Sequence, residues 1–378
     1  GLMAENLPLA GQIAARGEIL GRMAPDTLSA LRTALVARSR DATADVRARI
    51  AAGLALGLLG DPRIREVPGV DASFRIGPLV EVPAGDYPLG NDDPIEYLGG
   101  ALRHAMPRHA VRLAAFRIGA FPVTNAEFGC FVAAGGYEDP RWWTLAMAAA
   151  WQAGVGTAEG HRQAVRYWWR WFGADPTRID AQHDLGEFSD AHHALWHRRV
   201  AMDSAALERH LEETYPDELH RAPRHWADPA FNNPALPIVG ISWPEACAYC
   251  AWLAFQSGLA VRLPTEAEWE ASARGPHARR YASGDAFELE IGNTQELRLR
   301  GTTPVGVFPA GDSPLGISDL SGNTWDWTSS LWGADMTAPT FGYPYRSDDG
   351  REEPTAPRAV CRVVRGGSWV HGWVGVRA

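Results

Sequence analysis

The chain has 378 residues, 46% of them hydrophobic, and a net charge of −9, so it is long enough for one large domain with an appendage. All its basic side chains are arginines and none cluster above the surrounding acids, which argues against a nucleic-acid backbone as partner. Four cysteines (Cys130, Cys247, Cys250, Cys361) are too few for a disulfide framework. With no apolar run of about 18 residues and no signal-like N-terminal series, no membrane association is expected and the cytoplasm is the expected compartment.

In chain order, residues 1–66 read as a small helical region. Asp26 is placed to cap a helix with Leu28, Leu31 and Leu35 on one face, and Val46, Ile50, Leu54 and Leu58 recur every fourth residue in the next. Gly60 and Pro62 then stop it, and the Leu-Gly-Asp-Pro-Arg ending resembles half of a HEAT-type repeat. Such a unit cannot bury its own apolar face, so it serves as a brace or as a dock for a protein partner.

From Phe74 the period changes to short strands and turns. Leu79 to Gly90 reads as two strands around a Pro-Ala-Gly-Asp turn, and His109 to Phe116 alternates as a half-buried strand. Three helices announce themselves by a hydroxyl N-cap with Glu three residues on: Thr124 with Glu127, Ser242 with Glu245, and Thr265 with Glu268. They are expected to bury Phe128, Phe131 and Val132, then Cys247, Cys250, Leu253 and Ala254, then Trp269. Between the first two lies an insert, roughly 141–228, rich in Ala, His and Trp, whose periodic patches predict helices. Cys247 and Cys250 form a CxxC on an apolar helix face with no second pair, which reads as buried structural thiols. The sixteen tryptophans mark a bulky core, an aromatic surface, or both.

Six separated motifs then stand in one order: Val82-Pro-Ala-Gly-Asp-Tyr-Pro-Leu-Gly90, Phe121-Pro-Val-Thr-Asn125, Pro237-Ile-Val-Gly-Ile-Ser-Trp243, Arg262-Leu-Pro-Thr-Glu-Ala-Glu-Trp-Glu270, Gly322-Asn-Thr-Trp-Asp-Trp327 and Val364-Arg-Gly-Gly-Ser-Trp369. Together they resemble the formylglycine-generating enzyme (sulfatase-modifying factor) family over residues 74–378, the insert excepted. The resemblance implies an α+β, loop-rich variant of the C-type lectin fold.

The family's enzymes hold copper on two cysteines shortly after the Gly-Gly-Ser motif, and thiolates suit Cu(I). No cysteine stands between Arg362 and Ala378, and Cys361 precedes the motif, so no copper is expected. The iron-dependent sulfoxide synthases of the same fold need three histidines. The nearest pair, His193 and His197, shares a helix face inside the insert, no carboxylate follows at the expected offset, and the N-terminal helices hold no histidine. The pair therefore reads as solvent-facing or satisfied.

The C-terminal stretch is most similar to a third, non-enzymatic branch, the variable proteins of diversity-generating retroelements. In these, Arg-Gly-Gly-Ser-Trp precedes an Asn-rich run and then Val-Arg. The run falls on Val370, His371, Gly372, Trp373, Val374 and Gly375, with Val376-Arg377 resuming the pattern. Adenine-directed substitution of an Asn codon reaches Val, His and Gly, and an AGG Arg codon reaches Trp373. The reading is a non-catalytic binder of a protein or other macromolecule at these six positions. Its alternatives are a divergent loop on a metal-dependent oxidase or sulfoxide synthase relative, and a regulatory module of a signalling or defence assembly.

The resemblance also implies structural calcium at Asp319, Gly322, Thr324 and Asp326, with a second site at Asn293 and Glu296. The alternative is that Asp319 and Asp326 satisfy local backbone amides. Family members continue past Val-Arg to a Gly-Phe-Arg strand that pairs near the N-terminal strand. This sequence stops at Ala378, so a missing tail or another segment is expected to close the sheet.

Overall fold

The N-terminal helices α1 (Leu7–Ala14), α2 (Gly17–Leu20), α3 (Pro25–Ser39) and α4 (Val46–Leu59) share a core of Leu31, Leu35, Ala52, Ala55, Leu56 and Leu59. The computed structural model describes residues 5–97, 100–336 and 338–378. Helix α3 starts at Pro25 without a side-chain cap, so Asp26 sits in the first turn, where its charge suits the helix dipole, rather than at the N-cap. Helix α4 departs from the expected face. Arg49, Ala52, Leu56 and Leu59 are buried, Val46, Ile50 and Leu54 are half-buried, and Leu58 is 49% exposed.

The cause is a close approach on a second side of α4. A Cβ on Gly53 would lie 2.7 Å from Pro304, and one on Gly57 would lie 2.3 Å from Asn233 Oδ1. Polar ties seal that contact: Arg49 Nη1 donates to the Val307 carbonyl at 2.9 Å, and Asn233 Nδ2 to that of Leu54 at 3.1 Å. Arg40 Nη1 reaches the Gly306 carbonyl at 2.7 Å. The helices therefore belong to one compact unit, Gly1–Thr144 with Arg221–Ala378, and Leu145–His220 forms the other.

Ten short strands in the described residues make five antiparallel two-stranded sheets. Strands β1 (Arg65–Val67) and β2 (Phe74–Ile76) pair, as do β5 (Ile95–Tyr97) and β6 (Gly100–Leu102). Strands β3 (Leu79–Val82) and β4 (Gly85–Leu89) are not the expected hairpin. β3 pairs with β8 (Phe116–Gly119), and β4 with β7 (His109–Leu113). Thus the turn at Pro83-Ala84 passes the chain between two ladders. No third strand joins the β3–β8 ladder among the described residues, and an apolar cavity of about 930 Å³ lies against it, lined by Leu79, Phe116, Phe128, Tyr249 and Trp269 among others.

All three predicted capping boxes are present, on α5 (Asn125–Ala133), α11 (Trp243–Ser257) and α12 (Glu266–Arg274). In each, the hydroxyl residue and its Glu satisfy amides that a helix start leaves orphaned. Helix α11 ends at Gly258 in the left-handed region, φ +67, as a C-terminal glycine permits. Its most buried face is Ala248, Tyr249, Trp252 and Leu253, with Cys247 and Cys250 half-buried at its edge. Burial pushes both thiols well above the usual range, so they are poor nucleophiles.

The second unit is all helical: α6 (Ala146–Gln152), α7 (Glu159–Ala174), α8 (Thr177–Asp184), α9 (Asp190–Val200) and α10 (Ser204–Thr214). Val165, Phe172, Ile179, Trp196, Leu207 and Leu211 form its own core. No helix of the structure is long and apolar enough to cross a membrane among the described residues.

Candidate functional site

Strand β10 (Cys361–Arg365) pairs with β9 (Asp326–Gly333) and delivers the chain into Gly366-Gly367. The strand is fixed by its arginines. Arg362 Nη1 donates to the Ser329 carbonyl at 2.6 Å, and its guanidinium lies 4.1 Å over the Trp243 ring. Arg365 Nη2 meets Glu270 Oε2 at 3.0 Å, and Nη1 lies 3.6 Å from Glu266 Oε1. Glu270, 1% exposed, also accepts from the Gly90 amide (2.8 Å), Arg274 Nη1 (2.6 Å) and the Tyr343 hydroxyl (2.5 Å). Three of the sequence motifs thus meet at one buried carboxylate: those holding Gly90, Glu270 and Arg365.

Both glycines after the strand have positive φ, +97 at Gly366 and +75 at Gly367. A Cβ on Gly367 would stand 2.5 Å from the Gly375 carbonyl and 2.8 Å from Val376 Cγ1, so only glycine fits. The turn interlocks with the Gly322-Asn323 loop: the Gly322 amide donates to the Gly366 carbonyl at 2.8 Å, and the Trp369 amide to that of Asn323 at 3.2 Å. Asn323 in turn ties Thr303, accepting from its amide at 2.9 Å and donating to its carbonyl at 3.1 Å.

Residues 370–375 form turns whose backbone, more than their side chains, is held by the surroundings. The Gln295 amide donates to the His371 carbonyl (3.1 Å), the Tyr281 hydroxyl to that of Trp373 (3.0 Å), and the Trp373 amide to Glu296 Oε1 (2.8 Å). Within the loop, the His371 amide reaches the Ser368 carbonyl and that of Gly375 the Gly372 carbonyl, each at 2.8 Å. Val370 and Trp373 are 49% and 46% exposed. Gly372, Val374 and Gly375 are half-buried. His371 is the exception among the six, with Nδ1 2.8 Å from Ser368 Oγ and its ring edge-on to Trp325 at 5.0 Å. Val376, where the fixed pattern resumes, is fully buried with Tyr281 and Ile291.

Trp325, 41% exposed, extends this surface and was not singled out from the sequence. The available signal was its place between Thr324 and Asp326, which turn inward on either side. Gln295 and Tyr281, which grip the loop backbone, carried no sequence signal at all. Cys361 lies at the far end of β10 from the loop, paired opposite Gly333.

Asp319 is buried, with φ +61, and Asp326 is half-buried at the start of β9. Asp319 Oδ2 accepts from the Gly306 amide at 2.7 Å while Oδ1 is buried and unpartnered; Asp326 Oδ2 accepts from Trp269 Nε1 at 2.9 Å. Burial pushes Asp319 up to about 6 and Asp326 up to about 7, the latter also through the Asp319 charge. The Thr324 carbonyl and Asp326 Oδ2 lie 3.5 and 3.8 Å from where a Gly366 Cβ would stand, so both face the same small space. The unpartnered Asp319 Oδ1, with the Asp326 carboxylate, is the hard oxygen type that calcium takes, while the Gly322 carbonyl already accepts from the Thr324 amide at 2.9 Å. Asn293 Oδ1 and Glu296 Oε2 are likewise buried and unpartnered, although Glu296 Oε1 serves the loop.

Buried glutamates away from these oxygens set a pH dependence. Burial pushes Glu245 and Glu266 up to about 7, against their hydrogen bonds and Arg365 respectively. The folded state then holds more protons than the unfolded state between about pH 4.5 and 7, so stability falls as pH rises through that window. In calcium-free buffer, where Asp319 and Asp326 act in the same direction, the melting temperature is expected to be higher at pH 5.5 than at pH 8 by calorimetry. A flat profile contradicts these assignments.

The family described as "Sulfatase-modifying factor enzyme 1-like domain" matches residues 65–378. The bovine formylglycine-generating enzyme is 29% identical over 307 residues, 77% of this chain and 66% of that protein. A hercynine oxygenase from Mycolicibacterium smegmatis is 32% identical over 302 residues, 78% of this chain and 54% of that protein. The chain thus spans about half to two thirds of these relatives. Among solved structures, Treponema denticola variable protein 1 aligns with TM-score 0.42 and 16% identity, over 84% of this chain and 91% of that one. The ordered motifs around Glu270 and the matched span together place this chain in the sulfatase-modifying factor family, with its loop-rich α+β form of the C-type lectin fold.

Proposed function

We propose that this chain is a ligand-binding member of the family without turnover, and that residues 370–375 are a surface rewritten by a diversity-generating retroelement. The observation that carries this reading is the division of labour in the loop. Its backbone is gripped by Gln295, Glu296 and Tyr281, while Val370 and Trp373 project from it. A fold can tolerate varied side chains only where it does not rely on them, and exposed aromatic area beside small residues is what adaptable binding surfaces use. Trp325 adds a fixed aromatic neighbour to that surface.

The absence of thiols between Arg362 and Ala378 removes the copper ligands that the family's oxidases need. Calcium at Asp319, Asp326 and the Gly322 and Thr324 carbonyls, and a second ion at Asn293 and Glu296, would brace the loop region beneath the surface. Removing calcium by chelation is expected to lower the melting temperature, and adding it back to restore it.

A second reading, a metal-dependent oxygenase, draws on the 32% identity to a hercynine oxygenase. The two separate in one assay. Oxygen uptake is measured with a thiol substrate after loading with Cu(I) or Fe(II), alongside binding by a panel of variants at 370–375. The proposal expects no uptake above the metal-only rate, with binding specificity that changes from variant to variant. Metal-dependent turnover, or identical binding across the panel, overturns it.

A further inference from the structure

We propose a divalent transition-metal site in the helical unit, formed by Asp180, His193 and His197. The ligand atoms of these three side chains all lie within 4.8 Å of one another. His193 and His197 stand four residues apart on α9, so their rings share one face, centroids 4.6 Å apart. Asp180 comes from α8, and its Oδ1 lies 2.8 Å from Nε2 of both histidines. No carboxylate follows the histidine pair at the offset that the sulfoxide synthases use. The fold supplies one from the preceding helix.

The arrangement is built on a rigid frame. Ile179, fully buried, precedes Asp180, and Trp196, 8% exposed, precedes His197, so the residues next to two of the ligands are core anchors. Two imidazole nitrogens on one carboxylate oxygen is also the collapsed form of a three-ligand site. An ion with bonds of about 2.0–2.2 Å needs neighbouring ligand atoms about 3.3 Å apart, so inserting it widens the present contacts by only about half an ångström. All three side chains reach solvent and can move that far. Water or a further group would complete the coordination. His183 stands beside His193, ring centroids 4.6 Å apart, with its own Nε2 on Asp190 Oδ1 at 2.8 Å.

The donor set selects the class of ion. Two imidazoles and one carboxylate suit Zn²⁺, Co²⁺, Ni²⁺ or Fe²⁺, whereas calcium and magnesium prefer oxygen donors. All three ligands belong to the Leu145–His220 unit, so the proposal does not rest on the reading of residues 370–375.

The test is a metal titration of the tag-free, chelator-stripped full chain, with Co²⁺ read by visible absorption and Zn²⁺ by competition with a chromophoric chelator, in excess calcium. One equivalent is expected to bind with a tetrahedral or five-coordinate Co²⁺ spectrum. His193→Ala, His197→Ala and Asp180→Asn should each weaken binding by at least about tenfold, because even residues supporting a metal ligand are worth that much. His192→Ala, an exposed neighbour on the same helix, should leave it unchanged. Circular dichroism checks each fold, and His193→Gln with His197→Gln keep the side-chain bulk if an alanine variant unfolds. Absence of saturable binding at micromolar metal, or binding that survives all the ligand substitutions, overturns the proposal.

Discussion

Gly367→Ala is expected to destabilise the protein by about 2–5 kcal/mol, whereas Trp373→Ala, six residues on, should cost less than about 1 kcal/mol. For Gly367 two effects add. Its φ of +75 is unfavourable to any side chain by roughly 1–2 kcal/mol, and the new Cβ would press on the Gly375 carbonyl at 2.5 Å. Overpacking of that kind typically costs about 1–3 kcal/mol, and here a carbonyl has little room to retreat. Trp373 is about half exposed, with an Arg377 guanidinium 5.3 Å from its ring, a contact of small worth in water. Denaturant unfolding of both variants checks the contrast. A loss of several kcal/mol from Trp373→Ala would mean that the loop side chains hold the fold, and a recognition surface could not be varied there.

The second large effect is expected at Glu270. Glu270→Ala should cost about 3–5 kcal/mol, because it leaves Arg274, 2% exposed, and the half-buried Arg365 without their shared partner. Burial alone would push the Glu270 carboxyl up. Arg365 and Arg274, with Tyr343 and the Gly90 amide, outweigh it and hold the group below its usual range. Glu270→Gln keeps the shape and, with its carbonyl oxygen toward Gly90, the bond from that amide, while its NH2 can only donate to the Tyr343 hydroxyl, so its cost is mainly that of losing the charge-paired acceptor. Equal losses in the two variants would show that charge dominates. A negligible loss in both would show that the strand leading into Gly366 is not held as described.

The features legible in the sequence are those whose chemistry is local. A capping box needs only a hydroxyl and a glutamate three residues apart, and Thr124, Ser242 and Thr265 all cap as expected. Likewise, Gly258 and the two glycines after Arg365 mark turns through backbone freedom that other residues lack. Strand pairing was not legible, because the partner of Leu79–Val82 lies beyond residue 115 and the adjacent strand merely looks like one. The buried face of α4 was hidden for a related reason. Periodicity weighs large apolar residues, but Gly53 and Gly57 are buried because their smallness admits Pro304 and Asn233.

At the candidate site, the loop boundaries came from the motif pattern, while the side chains that grip it did not. Tyr281 acts across 92 residues and Gln295 through its backbone amide, so no local pattern announces them, while Glu296, expected as a metal ligand, also accepts from the Trp373 amide. Asp180 escaped notice in the same way, since its thirteen-residue separation from His193 crosses a helix–helix turn.

The nucleotide sequence of the gene and its flanks tests the central claim most directly. The account predicts a near-copy of the codons for the last residues close by, differing from the gene only where the copy carries adenine, with those differences confined to positions 370–375. No such copy, or differences scattered over all four bases, would contradict it.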